Sequence, residues 1–238
     1  MLIGIGKSRM EELERIQKVY RARVERDNSE RYSLFRAGEL YMNQRREEIT
    51  LRLLAQRGVI TFRGRTLLEV GCGRGQRLAD FQRWGAESDC IHGIDLLEPF
   101  VQQCARTFPA FHLVRASGHQ LPYANDVFDL VSQSTVFSSI LDRGMRVDMA
   151  REIMRVLKPG GFVVWYDFRY PSPHNADVRP VARREIFRLF HPHAVTVQSV
   201  TLLPPVARRI AKLSFSLCRL LEMLPLLRSH YVGIVQKR

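Results

Sequence analysis

Lysine is nearly missing from this chain. Five lysines stand against 32 arginines in 238 residues, and only 24 acids oppose them, leaving a formal net charge of +13. That excess admits an anionic partner such as nucleic acid, anionic lipid or an acidic substrate, and codon usage in a GC-rich genome also produces it. Cysteine is scarce and scattered. Cys72, Cys90, Cys104 and Cys218 form no CxxC pair, which suits reduced thiols in a cytosolic setting. Long hydrophobic runs are lacking too. The opening MLIGIGKSR is too short an apolar run for a signal peptide. The most apolar later stretch, 213–227, is interrupted by Arg219, Glu222 and Pro225 and falls short of a membrane span. No carboxylate cluster completes a metal site around His191 and His193. There is no internal repeat and no low-complexity segment. The expected location is cytoplasmic, with peripheral membrane contact as an option. An apolar share of 45% supplies an ample core for one domain with an appendage.

What is present centres on residues 66–80, TLLEVGCGRGQRLAD. A short apolar run carrying Glu69 is followed by glycines at 71, 73 and 75, and then by a helix-like segment. The pattern predicts a buried strand, a tight glycine turn and a helix N-terminus, where a ligand approaches the backbone and an anionic group is favoured.

Helical spacing predicts a first helix over 8–26, capped by Ser8, and a second over 38–56. Residues 1–64 thus form a helical extension that either pads the sheet or closes over the ligand as a lid. The domain proper, 65–238, alternates strand and helix. Strands are expected at 66–70, 90–95, 111–115, 128–133, 161–168, 194–202 and 231–236. Helices are expected at 75–84, 99–107, after Asp142, at 182–190 and at 206–224. Such alternation defines an α/β fold, a Rossmann-like, mostly parallel sheet with helices on both faces.

Several nucleoside-binding folds share a glycine turn after the first strand and an acid ending the second. Asp95 lies 20 residues beyond Gly75, suitably placed for ribose hydroxyls. A dinucleotide fingerprint needs a third glycine where Gln76 stands, and Glu69 disfavours a pyrophosphate while suiting a cationic amine. No Gly-Lys-Ser/Thr ending supports a phosphate P-loop.

EVGCGRG, the strand-ending Asp95, LPYANDVFDLV and RVLKPGG, in that order, resemble class I S-adenosylmethionine-dependent methyltransferases of the type 11 group. The likeness covers roughly 66–168, and the family's final strand inserts antiparallel, as the last strand here would. The tail, from WYDF through LLPPVARR to HYVGIVQKR, further resembles methyltransferases from bacterial polysaccharide and secondary-metabolite gene clusters. The resemblance implies that Gly71, Gly73 and Gly75 hold the methionine part of S-adenosylmethionine and that Glu69 meets its amino end, directly or through water. It implies that Asp95 binds the ribose and Leu96 lies on the adenine. Ser117 stands where the family has an acid for the adenine amino group, leaving the Gly118 N–H to serve. Gln133 would lie near the methionine. Cys72 reads as a space-filling residue.

A hydroxyl acceptor also needs its proton removed. Asp167, at the end of the fifth strand, is the first candidate base and His174 the second, with Tyr20 and Tyr166 behind them. The other reading of Asp167 is a carboxylate that holds loop N–H groups. The expected acceptor is a small molecule or a glycan, lipid-linked in one version. RNA and a non-catalytic cofactor-binding role are the alternatives. The basic, apolar segment 206–228 reads either as an interfacial helix or as one packed on the sheet.

Overall fold

The computed structural model describes residues 2–25, 32–171 and 175–238. Seven strands form a single sheet in the order β3-β2-β1-β4-β5-β7-β6. They are β1 (Leu67–Val70), β2 (Ile91–Asp95), β3 (His112–Arg115), β4 (Phe128–Ser134), β5 (Leu157–Phe168), β6 (Ala194–Leu202) and β7 (Arg228–Gln236). All neighbouring pairs from β3 to β5 are parallel, and β7 enters antiparallel between β5 and β6. The helices are α1 (Leu2–Glu25), α2 (Ala37–Ala55), α3 (Gln76–Arg83), α4 (Glu98–Thr107), α5 (Arg143–Val156), α6 (Arg183–Leu189), α7 (Pro204–Ile210) and α8 (Phe215–Glu222).

The period-two alternation of the strands assigns their side chains to two cores. Leu68, Val70, Val131, Val163 and Trp165 pack with Met149 and Ile153 of α5 and Ile186 of α6. On the opposite face, Leu67, Leu130, Val164 and Ile234 pack with Leu78 and Phe81 of α3, Cys104 of α4, and Ile49, Leu53 and Leu54 of α2. A third cluster joins Tyr41 and Met42 of α2 to Leu202, Ala207 and Cys218. The two N-terminal helices therefore do different things. α2 belongs to the core of one sheet face. α1 lies over the edge of the other, with Leu13 and Ile16 packed against its core.

Local chemistry marks two of the helix starts. Asp142 caps α5 by accepting from the Met145 N–H at 2.6 Å, as its spacing predicts. Ser8 does not cap α1. The helix is already running there, and the Ser8 hydroxyl donates to Asp142 Oδ2 at 3.2 Å. The single helix expected over 206–224 is two. Pro204-Pro205 opens α7, the chain turns after Ile210, and Ser214 starts α8 by accepting from the Leu217 N–H at 3.2 Å.

Candidate cofactor-binding and active site

The order of the strands reverses between β1 and β4, and a crevice opens there, outside their C-terminal ends. Its wall is made by Val70, Gly71 and Gly73 after β1, Asp95 to Leu97 after β2, Ala116 to Gly118 after β3, and Ser134 to Val136 after β4. Met145 and Met149 of α5 close one side, and Ile16 and Tyr20 of α1 lie across the opening. Gly71, Gly73, Asp95, Leu96, Ser117 and Gly118, singled out from the sequence, meet on this wall.

The glycine turn differs from expectation in one respect. Its N–H groups are occupied within the protein: Gly71 and Cys72 donate to the Ile94 carbonyl, each at 2.8 Å, and Gly73 donates to Asp95 Oδ2 at 2.9 Å. What the turn supplies is room. Gly73 has φ +52, and a β-carbon built there meets no protein atom within 4 Å, so a ligand can lie directly on the backbone. Gly75 serves packing instead, because a β-carbon there comes within 2.5 Å of Cys104 Sγ on α4. Asp95 also accepts from the Leu97 N–H at 2.9 Å. Burial raises its carboxyl above the ordinary range, and the N–H groups of Leu97 and Gly73 oppose that shift.

Glu69 lies beneath the turn, on the α2 and α3 side of β1. It is 1% exposed, and its Oε2 has no hydrogen-bond partner. Burial pushes its carboxyl well above the carboxylate range, and Arg46 of α2 pulls it back. The Arg46 guanidinium donates to Ser134 Oγ at 3.2 Å and to Asn43 Oδ1 at 2.6 Å, yet its Nε is also buried without a partner. A buried carboxyl and a buried guanidinium, each with an open position, flank the end of β1. Sequence reading missed Arg46, since nothing local marks a helix arginine as facing a strand end.

Ser117 holds its place at the wall with its hydroxyl on His119 Nδ1 at 2.7 Å. Gln133 is turned inward. Its Nε2 donates to the Tyr166 carbonyl at 3.4 Å and its Oε1 accepts from the Val136 N–H at 3.2 Å, so it fixes the turn after β4 and forms no part of the wall. Asp167 likewise is not on the wall. Fully buried, it accepts from the Ser138 N–H at 3.1 Å and the Phe168 N–H at 2.8 Å. Burial pushes its carboxyl up to about 6, against those hydrogen bonds. These bonds match the loop-holding reading of Asp167, and the carboxylate does not line the described wall. His174 lies outside the described residues.

Between Ser134 and Ser139 runs a hydroxyl-rich turn that sequence reading passed over. Thr135 sits at φ +59, an uncommon left-handed conformation for a β-branched residue. Its carbonyl accepts from the hydroxyls of Ser138 and Ser139, at 3.3 and 3.1 Å. The Ser139 hydroxyl in turn meets the Tyr20 hydroxyl at 2.7 Å. Burial raises the Tyr20 phenol, and Ser139 opposes the shift. Tyr20 and Asp95 are the titratable side chains among the described wall residues. Among the described residues no cluster of three or more His, Cys, Asp or Glu is placed to hold a metal ion.

Residues 67–161 match the family model described as a methyltransferase domain. An uncharacterized methyltransferase of Mycobacterium tuberculosis is 37% identical over 106 residues, which are 42% of this chain and 38% of that protein. The phthiotriol/phenolphthiotriol dimycocerosates methyltransferase 1 of Mycobacterium ulcerans is 29% identical over 140 residues, covering 52% of this chain and 48% of that one. The chain thus spans less than half the length of these curated relatives. The solved 1,6-didemethyltoxoflavin-N1-methyltransferase of Burkholderia thailandensis, with 1,6-didemethyltoxoflavin and S-adenosylhomocysteine bound, shares the fold. It has a TM-score of 0.62 at 17% identity, over 97% of this chain and 89% of that one. The matched segment is a methyltransferase domain, and its fold is that of solved S-adenosylmethionine-dependent methyltransferases.

Proposed function

We propose that the chain transfers a methyl group from S-adenosylmethionine to a hydroxyl of a small molecule or a glycan. The observation that carries this reading is Asp95 beside the open face of Gly73, a carboxylate next to backbone on which a ligand can lie. The wall fits the cofactor on its own terms. Asp95 accepts from the ribose hydroxyls, while Leu96, Ala116 and Met149 give the adenine an apolar bed. Glu69 and Arg46, each with a vacant position, match the ammonium and carboxylate of an amino-acid end. Bound there, S-adenosylmethionine supplies a methyl group on a sulfonium that is already an activated leaving group.

The protein's own contribution is then chiefly alignment in a water-poor cleft. Ile16 and Tyr20 shield the crevice, and Asp167 fixes the turn that presents Ser139. The Tyr20–Ser139 hydroxyl pair is placed to orient an acceptor hydroxyl on the wall. The apolar wall and the relative named for phthiotriol dimycocerosates support a small or lipid-linked acceptor. A relative named as a tRNA (carboxymethyluridine(34)-5-O)-methyltransferase of Saccharomyces cerevisiae, 32% identical over 101 residues, supports RNA as the second reading.

The test supplies the protein with methyl-labelled S-adenosylmethionine and, separately, a solvent extract, a glycan fraction and RNA. Label entering the extract or the glycan as an O-methyl group is the expected outcome. Label confined to ribonuclease-sensitive material, or cofactor binding with no transfer, overturns the reading.

A further inference from the structure

Outside the crevice, the most unusual surface is carried by α7, α8 and the turn after them. Six of the fifteen large apolar side chains that stand exposed among the described residues fall between 213 and 226: Leu213, Leu217, Leu220, Met223, Leu224 and Leu226. Leu213, Leu226 and Met223 are 79%, 77% and 68% exposed. On α8 the inner face is fully committed. Cys218 is buried in the cluster with Tyr41 and Leu202, and Glu222 accepts from Arg45 Nε and from the Thr201 N–H. The outer face of a surface helix ordinarily carries charge. Here Leu217 and Leu220 on α8, and Leu224 just after it, are exposed.

The charges around this face have one sign. Arg209, Lys212 and Arg219 are exposed, and Glu222, the sole acid between 204 and 228, is buried. The acids that neighbouring elements bring to its rim are already engaged: Glu48 pairs with Arg45, Arg52 and Arg219, and Glu39 pairs with Arg208. The position of the face is informative as well. β6 runs parallel to β5, so α7 begins at the sheet edge where the crevice opens. The loop after β5 is tied to the same segment, through Arg169 Nη1 to the Pro225 carbonyl at 2.6 Å and the Tyr170 hydroxyl to the Leu226 carbonyl at 3.3 Å.

From the exposed leucines and the exposed basic side chains, of which Arg219 is shared with Glu48, we infer that the α7–α8 surface seats this protein on an anionic lipid bilayer. The leucines enter the interface while Arg209, Lys212 and Arg219 lie among anionic headgroups. A leucine face alone fits a second copy equally well, but a face with this one-signed rim opposes its own copy and complements an anionic surface. Membrane seating holds whichever molecule receives the methyl group. It adds that the crevice edge of the sheet then faces the bilayer, within reach of an acceptor carried on lipid.

Vesicle flotation of the full chain tests it. Phosphatidylcholine vesicles containing phosphatidylglycerol should recover about tenfold more protein than phosphatidylcholine alone, and high salt should reverse most of the gain. Leu217→Ser with Leu220→Ser and Leu224→Ser should abolish recovery while thermal midpoint and S-adenosylmethionine affinity stay unchanged. Arg209→Glu with Lys212→Glu should do the same without touching the leucines. Equal recovery on both vesicle types, or none on either, overturns the inference. So does a concentration-dependent dimer in light scattering that the leucine variant dissolves, because that assigns the face to self-association.

Discussion

Asp167 shows how one residue's setting decides its role. It is a fully buried carboxylate whose two oxygens hold the N–H groups of Ser138 and Phe168, and its carboxyl is pushed from 3.8 to about 6. Between those values the folded protein holds a proton there that the unfolded chain does not. The associated stability is therefore fully present below about pH 4 and is lost as pH rises through 6. Asp167→Asn removes this dependence. Chemical denaturation of both proteins from pH 7 to pH 4 should show the wild type gaining on the variant by about 3 kcal/mol as pH falls. At pH 7 the variant, with one acceptor for two N–H groups, should lose about 1–3 kcal/mol. A pH-independent difference between the two counts against the assignment. At this scale the sequence was legible where chemistry is local. The position of Gly73 and Asp95 at the crevice was legible because a turn needing positive φ and an acid ending a strand leave a mark in adjacent residues. Gln133 and Asp167 turn away from the described wall because the direction of a side chain at a strand end is set by the loop that packs above it. Arg46 and the 134–139 turn were missed because their partners lie far away in the chain.

Among the elements, α1 is held by a few specific bonds rather than by a large apolar face. Glu12, 7% exposed, accepts from the Leu141 and Asp142 N–H groups ahead of α5. Arg15 grips Glu12 and donates to the Ser139 carbonyl at 2.6 Å, and Arg9 pairs with Asp148 at 2.6 Å. Burial raises the Glu12 carboxyl, but Arg15 and the Leu141 N–H outweigh it and hold it below the ordinary range. Glu12→Ala leaves a part-buried N–H without its acceptor, at a cost of about 1–3 kcal/mol in the docking of α1. Hydrogen exchange should then speed up across α1 while the central strands keep their protection, and methyl transfer should slow as Tyr20 leaves the crevice. Unchanged exchange in α1 would contradict the docking. The strands and α5 were legible from periodicity and from the Asp142 cap. The break between α7 and α8 was not, since the apolar pattern runs through it and only Ser214 marks the new start.

At the scale of the molecule, one mostly parallel sheet with a reversal between β1 and β4 creates a crevice edge. Around that edge gather the ligand wall, the α1 cover and the basic, leucine-faced α7–α8 surface. Among the described residues no helix is long and apolar enough to cross a membrane. The class of fold was legible in the alternation of strands and helices. The joining of three separate features at one edge was not, because it depends on β6 running parallel to β5, which no local pattern states. The central claim is that the crevice holds S-adenosylmethionine through Asp95. Calorimetric titration of the wild type and of a folded Asp95→Ala variant tests it most directly. The expected result is one-to-one binding by the wild type, weakened about tenfold or more in the variant, a loss of at least ~1.4 kcal/mol. Equal affinity in the two proteins, or no binding by the wild type, would contradict it.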